Sequence, residues 1–362
     1  MTQRHASATI IDVAREAGVS KSAAARVLAR SGSASPQTKQ KVLEAAERLG
    51  YRPNQLAKAM KSGLTHTLGV VLPDVANPFF SAVLRGFTDA ARSAGFEVLV
   101  SNTDNDPEIE SSSIELLAEK RVDGIAIAPV LQRDPQAIAR IAAEGIPVVL
   151  LDRRLPTLAA LPLVSADHAD ATAQAVRALI DNGHTRIALL TEATQSLDEL
   201  RAIAEGPDDA YFALLRPSAQ RVIGYLRALA AAEIPADEHL LLRSAYSVDD
   251  AQRAVEAFLD SGVTATALHS TDAALTSGAY RALTARDIAV PQDLAFIGFD
   301  DQDWTTLVRP AVSVIDQPRQ RLGATAATTL IGAIRGHAPS AHDHLLNASL
   351  LMRDSVGSIT QA

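Results

Sequence analysis

The chain has no cysteine in 362 residues, so disulfides, thiol nucleophiles and thiolate metal ligands are all excluded, and a reducing compartment fits. No apolar run reaches the length of a membrane span, and the N-terminus lacks the apolar core of a secretory signal. The expectation is a cytoplasmic protein with no membrane partner. Phosphate-binding glycine loops and metal-ligand spacings are missing too, which argues against an enzyme and against any cofactor or metal. His337, His342 and His344 stand close in sequence, but in a polar loop with nothing nearby to orient them, and they read as solvated surface. Asn347-Ala348-Ser349 is a glycosylation sequon without meaning in a cytoplasmic chain. Internal repeats and low-complexity tracts are also lacking.

What is present is ordinary in amount and uneven in place. With 47% hydrophobic and 21% charged residues, the chain is long enough for two or three domains with a substantial core. Residues 1–63 carry eleven Lys and Arg against four Asp and Glu, a net charge of +7, so the net −8 of the whole chain leaves −15 on the rest. A basic head on an acidic body points to a polyanion as the partner of the head.

The head is organised around Thr9 to Leu28, TIIDVAREAGVSKSAAARVL. Thr9 and Asp12 have capping-box spacing, Val13, Ala14 and Ala17 share a helical face, and Gly18 suits a helix stop. Ser20 caps a second helix, on which Lys21, Ser22, Ala25, Arg26 and Ala29 share an outer arc of roughly 140° while Ala24 and Val27 point away. A small, basic outer face behind a glycine turn suits a helix-turn-helix entering a major groove. A third helix follows Ser35-Pro36, with Val42, Leu43, Ala46 and Leu49 inward and Gly50 as its stop. Asn54 to Lys61 is long enough for only one or two helical turns and should order against a partner.

From Thr67 onward strands and helices alternate. Strands are expected at Leu68–Leu72, Glu97–Val100, Gly124–Ala128, Pro147–Leu151, Arg186–Leu190 and Leu294–Ile297, with helices such as Phe80–Ala94, Ile109–Lys120 and Ala169–Asn182 between them. This alternation implies two lobes of parallel sheet covered by helices, with ligands at the carboxyl ends of the strands.

The stretches IIDVAREAGVS, KVLEAAERLGYRPNQLAKAMKSG, TLGVVLPDVANPFF, RVDGIAIAP, GIPVVLLDR, VSADHADAT, LIDNGHTRIALL, IGFDDQDW and VSVIDQP follow one another in order. Together they closely resemble the lactose-repressor (LacI/GalR) family of bacterial transcriptional regulators, from about Ala8 to Asp354. The resemblance implies an α/β core of two doubly wound parallel-sheet lobes, periplasmic-binding-protein-like, behind an N-terminal all-α helix-turn-helix domain. It divides the chain into the DNA-binding domain 1–52, a hinge 53–63 and a core 64–362. The N-lobe would comprise about 64–166 and 317–336, the C-lobe about 167–315 and 340–356. The implied crossings lie near Ala166, Ser313–Gln317 and Gly336–Ser340. It further implies a homodimer on a palindromic double-stranded operator, probed by a small effector, a sugar or related metabolite, in the cleft between lobes. Such a protein is usually a repressor. Enzyme and transport-type sugar-binding protein are the rival readings; the basic head counts against the second.

The family resemblance assigns DNA contacts to Thr9, Ser20, Lys21, Ser22 and Arg26 and, in the hinge, to Asn54, Leu56, Ala57 and Met60. Met60 stands where family members place a leucine that wedges into the minor groove. Where the family has Thr, Val and Ser before Arg-Val-Leu, this chain has Ala23, Ala24 and Ala25, which leaves Lys21, Ser22 and Arg26 as readers. Effector contacts are implied for Phe80, Asp152, Arg221, Thr271 and Asp300, with Trp304, the only tryptophan, as a stacking surface. Thr271-Asp272 replaces the family's Asn-Asp, and the span 191–218 is longer than usual. The chain stops soon after MRDSV without the family's leucine-heptad tail, so a dimer rather than a tetramer is expected.

Overall fold

A computed structural model describes residues 8–28, 34–51, 63–130, 135–206, 215–337 and 343–359. The chain divides into two compact units at His66/Thr67.

In the head, α1 (Ile10–Glu16) starts with a reciprocal cap. The Thr9 hydroxyl accepts the Asp12 amide at 3.4 Å, and the Asp12 carboxylate accepts the Thr9 amide at 2.9 Å. Gly18, at φ +63°, supplies the left-handed turn. The Ser20 hydroxyl then accepts the Ala23 amide at 3.1 Å, opening α2 (Lys21–Leu28). Ser35 caps α3 (Pro36–Arg48) through the Thr38 amide. Val13, Ala14, Ala17, Ala24, Val27, Val42, Ala45 and Ala46 form the small core. Leu43 and Leu49, expected inside, are instead 56% and 37% exposed. The inner row runs through residues 42, 45 and 46, and Leu43 lies about 100° off it.

The described residues of the second unit form twelve strands: β1 (Thr67–Leu72), β2 (Glu97–Asn102), β3 (Gly124–Ile127), β4 (Val148–Leu151), β5 (Leu163–Ala166), β6 (Ile187–Thr191), β7 (Leu241–Arg243), β8 (Ala267–Ser270), β9 (Ala295–Phe299), β10 (Ser313–Asp316), β11 (His344–Leu346) and β12 (Ser349–Leu351). They form two six-stranded sheets, ordered β11-β5-β4-β3-β1-β2 and β12-β10-β9-β8-β6-β7. All neighbours are parallel except the antiparallel pair β10 and β12. Both faces of each sheet are covered. In the first lobe Leu68, Val70 and Leu72 pack against the helices Pro78–Ser93 and Arg319–Ile334, while Val71, Ile125 and Ile127 meet Pro107–Glu119 and Gln136–Ala143. The second lobe repeats the plan with Ile187 and Leu189 on one face and Ala188 and Leu190 on the other. Each fully buried Leu, Ile or Val of these strands contributes about 1.5–3 kcal/mol.

The helices expected from Phe80, Ile109 and Ala169 begin one or two residues earlier. Asn77 and Asp106 cap helices whose first residue is proline, and Asp167 caps His168–Asp181. The chain crosses between lobes after β5 and after β10. Its third crossing, expected at Gly336–Ser340, falls instead between β11 and β12. His344, Leu345 and Leu346 pair with Val164, Ser165 and Ala166 and so extend the first sheet before the chain leaves it.

Candidate functional site

On α2 part of the expected arc is seen: Ala25 is half-buried, and Ala29 lies outside the described residues. Lys21, Ser22 and Arg26 are exposed, whereas Ala24 and Val27 are buried. Thr9 and Ser20 both spend their hydroxyls on helix caps. The outer face of α2 therefore offers two cations and a hydroxyl beside small alanines, which lets a helix approach a groove closely. Asn54, Leu56, Ala57 and Met60 lie outside the described residues.

The second candidate site is a cavity of about 420 Å³ at the carboxyl ends of strands from both sheets. The first lobe contributes Phe80 and Asp152, and the second contributes Arg221, Tyr246 and Asp272. Phe80 is held by an edge-on contact with Phe79, ring centroids 5.0 Å apart, in the helix capped by Asn77. Asp152 ends β4 in a left-handed conformation, φ +64°, and Asp300 ends β9 at φ +63°. Short polar Asp tolerates that conformation, which turns the chain from strand into loop at the cavity.

Arg221 is the hub. Its Nη1 donates to the Thr271 carbonyl at 2.8 Å and lies 3.4 Å from Asp272 Oδ2. Its Cζ sits 4.4 Å from the centroid of the Phe299 ring, a cation–π contact. Its Nη2 lies 3.3 Å from His168 Nδ1. An arginine only donates, so Nδ1 must be the unprotonated nitrogen and Nε2 must carry the hydrogen. Burial, together with the Arg221 charge, pushes the His168 pKa down against the pull of Asp152 and keeps the ring neutral. His168 Nε2 is 3.1 Å from both Ser165 Oγ and Asp152 Oδ1. The Oδ1 atom is buried without an aligned hydrogen bond. Ser165, His168 and Asp152 have the composition of a hydrolase triad but not its wiring. A relay needs nucleophile and carboxylate on different ring nitrogens, and here both approach Nε2.

The electrostatics differ among the carboxylates. Burial presses Asp152 upward, but His168, Arg153 and Arg221 outweigh it and hold its pKa below the usual range. Asp272 and Asp300 are both pushed up to about 6, by burial first. Asp300 also feels the charge of Asp272. Tyr246 joins the lobes: its hydroxyl accepts from Asn77 Nδ2 at 2.8 Å and bonds Asp272. Burial and the two acids keep that phenol protonated.

Of the residues singled out in the sequence, Phe80, Asp152 and Arg221 line the cavity. Thr271 is fully buried, its hydroxyl donating to the Leu190 carbonyl at 3.1 Å; the neighbouring Asp272 faces the cavity instead. Asp300 stands one layer back, 1% exposed, accepting from Gln317 Nε2 at 2.9 Å. Gln317 lines the cavity, and its Oε1 is buried without a partner. Trp304, expected at the ligand, is not part of this cavity. It opens a one-turn helix, packs on Tyr280 with ring centroids 5.3 Å apart, and borders a separate groove of about 790 Å³. The apolar core beneath that loop claims the indole. Sequence reasoning missed Arg153, Glu192, Arg216, Tyr246 and Gln317. Arg153 and Glu192 could have been found, since each is a charge set just past an apolar strand. The longer span 191–218 includes a helix, Leu197–Glu205, and its two ends bring Glu192 and Arg216 to the cavity.

Comparison with known proteins agrees with both units. Residues 9–54 match the description of bacterial regulatory proteins of the lacI family, and residues 65–351 match periplasmic binding proteins and the sugar binding domain of the LacI family. Catabolite control protein A of Priestia megaterium is 32% identical over 89% of this chain and 91% of its own length. The lac repressor dimer bound to operator and the anti-inducer ONPF superposes with a TM-score of 0.80 over 97% of this chain and 99% of its own, at 24% identity, a likeness of fold. A complex of the transcriptional regulator CelR with cellobiose gives a TM-score of 0.67 at 26% identity, covering 96% of this chain and 99% of that one. With a helix-turn-helix head and a two-lobed ligand-binding core, this chain belongs to the lacI family of bacterial regulatory proteins, DNA-binding regulators of transcription rather than enzymes.

Proposed function

We propose that this regulator is a repressor that binds a palindromic operator as a homodimer in the cytoplasm and answers to a small polyhydroxylated metabolite held between its lobes. One observation carries the reading: a cavity of about 420 Å³ in which buried polar atoms from both lobes converge without partners. Arg221 Nε and Gln317 Oε1 are among them, and Asp152 Oδ1 has only the poorly aligned approach of His168 Nε2 at 3.1 Å. Buried polar atoms left unpaired cost about 1–3 kcal/mol each, so a ligand that pairs them gains affinity for this arrangement of the lobes. Phe80 and Tyr246 supply apolar faces beside these groups, a combination suited to a sugar ring with its hydroxyls on the edge.

The contacts proposed for the head rest on the exposed face of α2 and, in the hinge, on the family resemblance alone. Lys21, Ser22 and Arg26 read bases or phosphates from α2, and the hinge residues Asn54, Leu56, Ala57 and Met60 meet the minor groove. Described residues include no helix long and apolar enough to cross a membrane. Nuclease footprinting of the DNA upstream of the gene with purified protein tests the reading. A protected palindrome whose occupancy changes with a metabolite of the adjacent genes is expected. Absence of protection at low salt would overturn it.

A further inference from the structure

Three arginines stand at this cavity, and the preceding reading uses only one. Arg153 follows β4 in the first lobe, and Arg216 precedes the helix Pro217–Ala231 in the second; both line the cavity. Arg153 Nη1 donates to the Pro129 carbonyl at 3.1 Å, and Arg216 Nη2 donates to the next carbonyl, Val130, at 3.3 Å. Successive carbonyls thus dock two guanidiniums from opposite lobes on one wall. Each guanidinium has five N–H donors and spends few of them there. Nearby, Asp152 contacts the neutral His168 ring and Asp272 pairs with Arg221, and neither Arg153 nor Arg216 enters an ion pair among the described residues.

Two further features add positive potential at the same wall. The 15-residue helix Pro217–Ala231 begins there, and its cap residue, Arg216, has no acceptor and makes no capping bond. Its first residue is proline, which has no N–H to offer, so the helix start adds the positive end of its dipole rather than a full set of free amides. One turn inside, Arg221 is 4% exposed and keeps Nε buried without a partner. Asp152 is the acid that most tempers this field at Arg153, followed by Glu192 and Glu110.

We propose that the ligand of this cleft is a polyhydroxy anion, its carboxylate or phosphate clamped by Arg153 and Arg216 while Asp152 and Asp272 take its hydroxyls. This rests on the reading of the cleft as the effector site. Guanidinium forks fit carboxylate and phosphate oxygens in pairs. Because the two arginines belong to different lobes, an anion between them relieves their mutual repulsion only while the lobes hold this arrangement. Ligand charge is thereby coupled to lobe position. A neutral sugar lacks that coupling.

The full-length protein is titrated by calorimetry and thermal shift with D-glucose, D-gluconate, D-glucose 6-phosphate, D-ribose and D-ribose 5-phosphate. Inorganic phosphate and malonate serve as simple anions. An acid or ester is expected to bind at least tenfold tighter than its neutral parent, and the simple anions to compete with it. Arg153→Gln and Arg216→Gln should each weaken the anion about tenfold or more, the loss of a charged hydrogen bond. Arg216→Lys should retain part of the affinity. If a glutamine variant melts early, Arg216→Lys and the salt dependence of wild-type binding carry the comparison. Gluconate against glucose 6-phosphate separates carboxylate from phosphate. Neutral sugars binding as tightly as their anions, no response to any anion including phosphate, or glutamine variants within twofold of wild type would each overturn the clamp. A neutral sugar that binds as tightly as its anion and changes operator affinity would sink the clamp and keep the regulator; loss of all operator binding would sink the regulator and leave the clamp standing.

Discussion

Gly224 links the packing of the second lobe to its ligand site. It lies where the helix Pro217–Ala231 crosses His168–Asp181, and a methyl added there would meet the Ala169 carbonyl carbon at 2.8 Å and Cα at 2.9 Å, with the oxygen closer still. Ordinary contact begins near 3.4 Å, and the obstacle is backbone, so Gly224→Ala must push the helices apart by about half an ångström or more. Overpacking of this kind costs about 1–3 kcal/mol. For a unit of this size that lowers the melting temperature by about 2–8 °C. The same separation acts on function. Arg221 lies one turn before Gly224 and His168 adjoins Ala169, so their 3.3 Å contact should open and ligand affinity fall. Gly332→Ala is the control: nothing lies within 4 Å of its added carbon, and a helical alanine there should be neutral or stabilising by about 0.5–1 kcal/mol. Calorimetric melting and ligand titration of both variants provide the assay. A Gly224→Ala protein that melts within about 1 °C of wild type and binds ligand equally well would refute the close crossing.

Three more outcomes are expected. Arg26→Ala should lower operator affinity by about 1–3 kcal/mol and relax one base position in a binding-site selection, with unchanged preference removing Arg26 from the groove. Met60→Ala should reduce the operator bend in a circular-permutation gel assay while Met60→Leu preserves it, because an apolar wedge repays the few kcal/mol of partial unstacking; an undiminished bend with alanine removes the wedge. For Asp300, burial raises the folded pKa to about 6 from 3.8, so between those values the native state binds more protons than the unfolded one and stability falls as pH rises. Asp300→Asn should thus gain stability over wild type at pH 7 by about 1–3 kcal/mol and lose that gain by pH 4, measured in urea melts, whereas a pH-independent difference contradicts the buried, shifted carboxyl.

Where the sequence pattern was strong it matched the fold. Runs such as Thr67–Leu72 are apolar at every core position, and capping pairs such as Thr9 with Asp12 are local chemistry. What it missed depends on distant partners. β8 reads ALHS, and its His269 is tolerated in a fully buried strand because Nδ1 meets the Ile297 carbonyl at 2.9 Å, a neighbour 28 residues away. β11 exists because β5 offers it an edge. At the cleft, a one-residue difference decides between Thr271, which ties the strand to Leu190, and Asp272, which caps the next helix and faces the cavity. Tyr246 and Gln317 reach the cavity from a loop and a crossing segment that carry no periodicity, and Trp304 was drawn to Tyr280 by core packing that composition alone does not reveal.

The central claim is that a ligand between the lobes controls the grip of the head on DNA, with Arg221 as the link. It is tested most directly by fluorescence anisotropy of a labelled operator titrated with wild type and Arg221→Ala, each with and without the cleft ligand. Wild type should change its operator affinity on adding ligand, by about 5–150-fold for a coupling of 1–3 kcal/mol. Arg221→Ala should bind the operator as wild type does alone and fail to respond. An undiminished response in the variant, or a wild-type isotherm that no ligand of the cleft displaces, would contradict the claim.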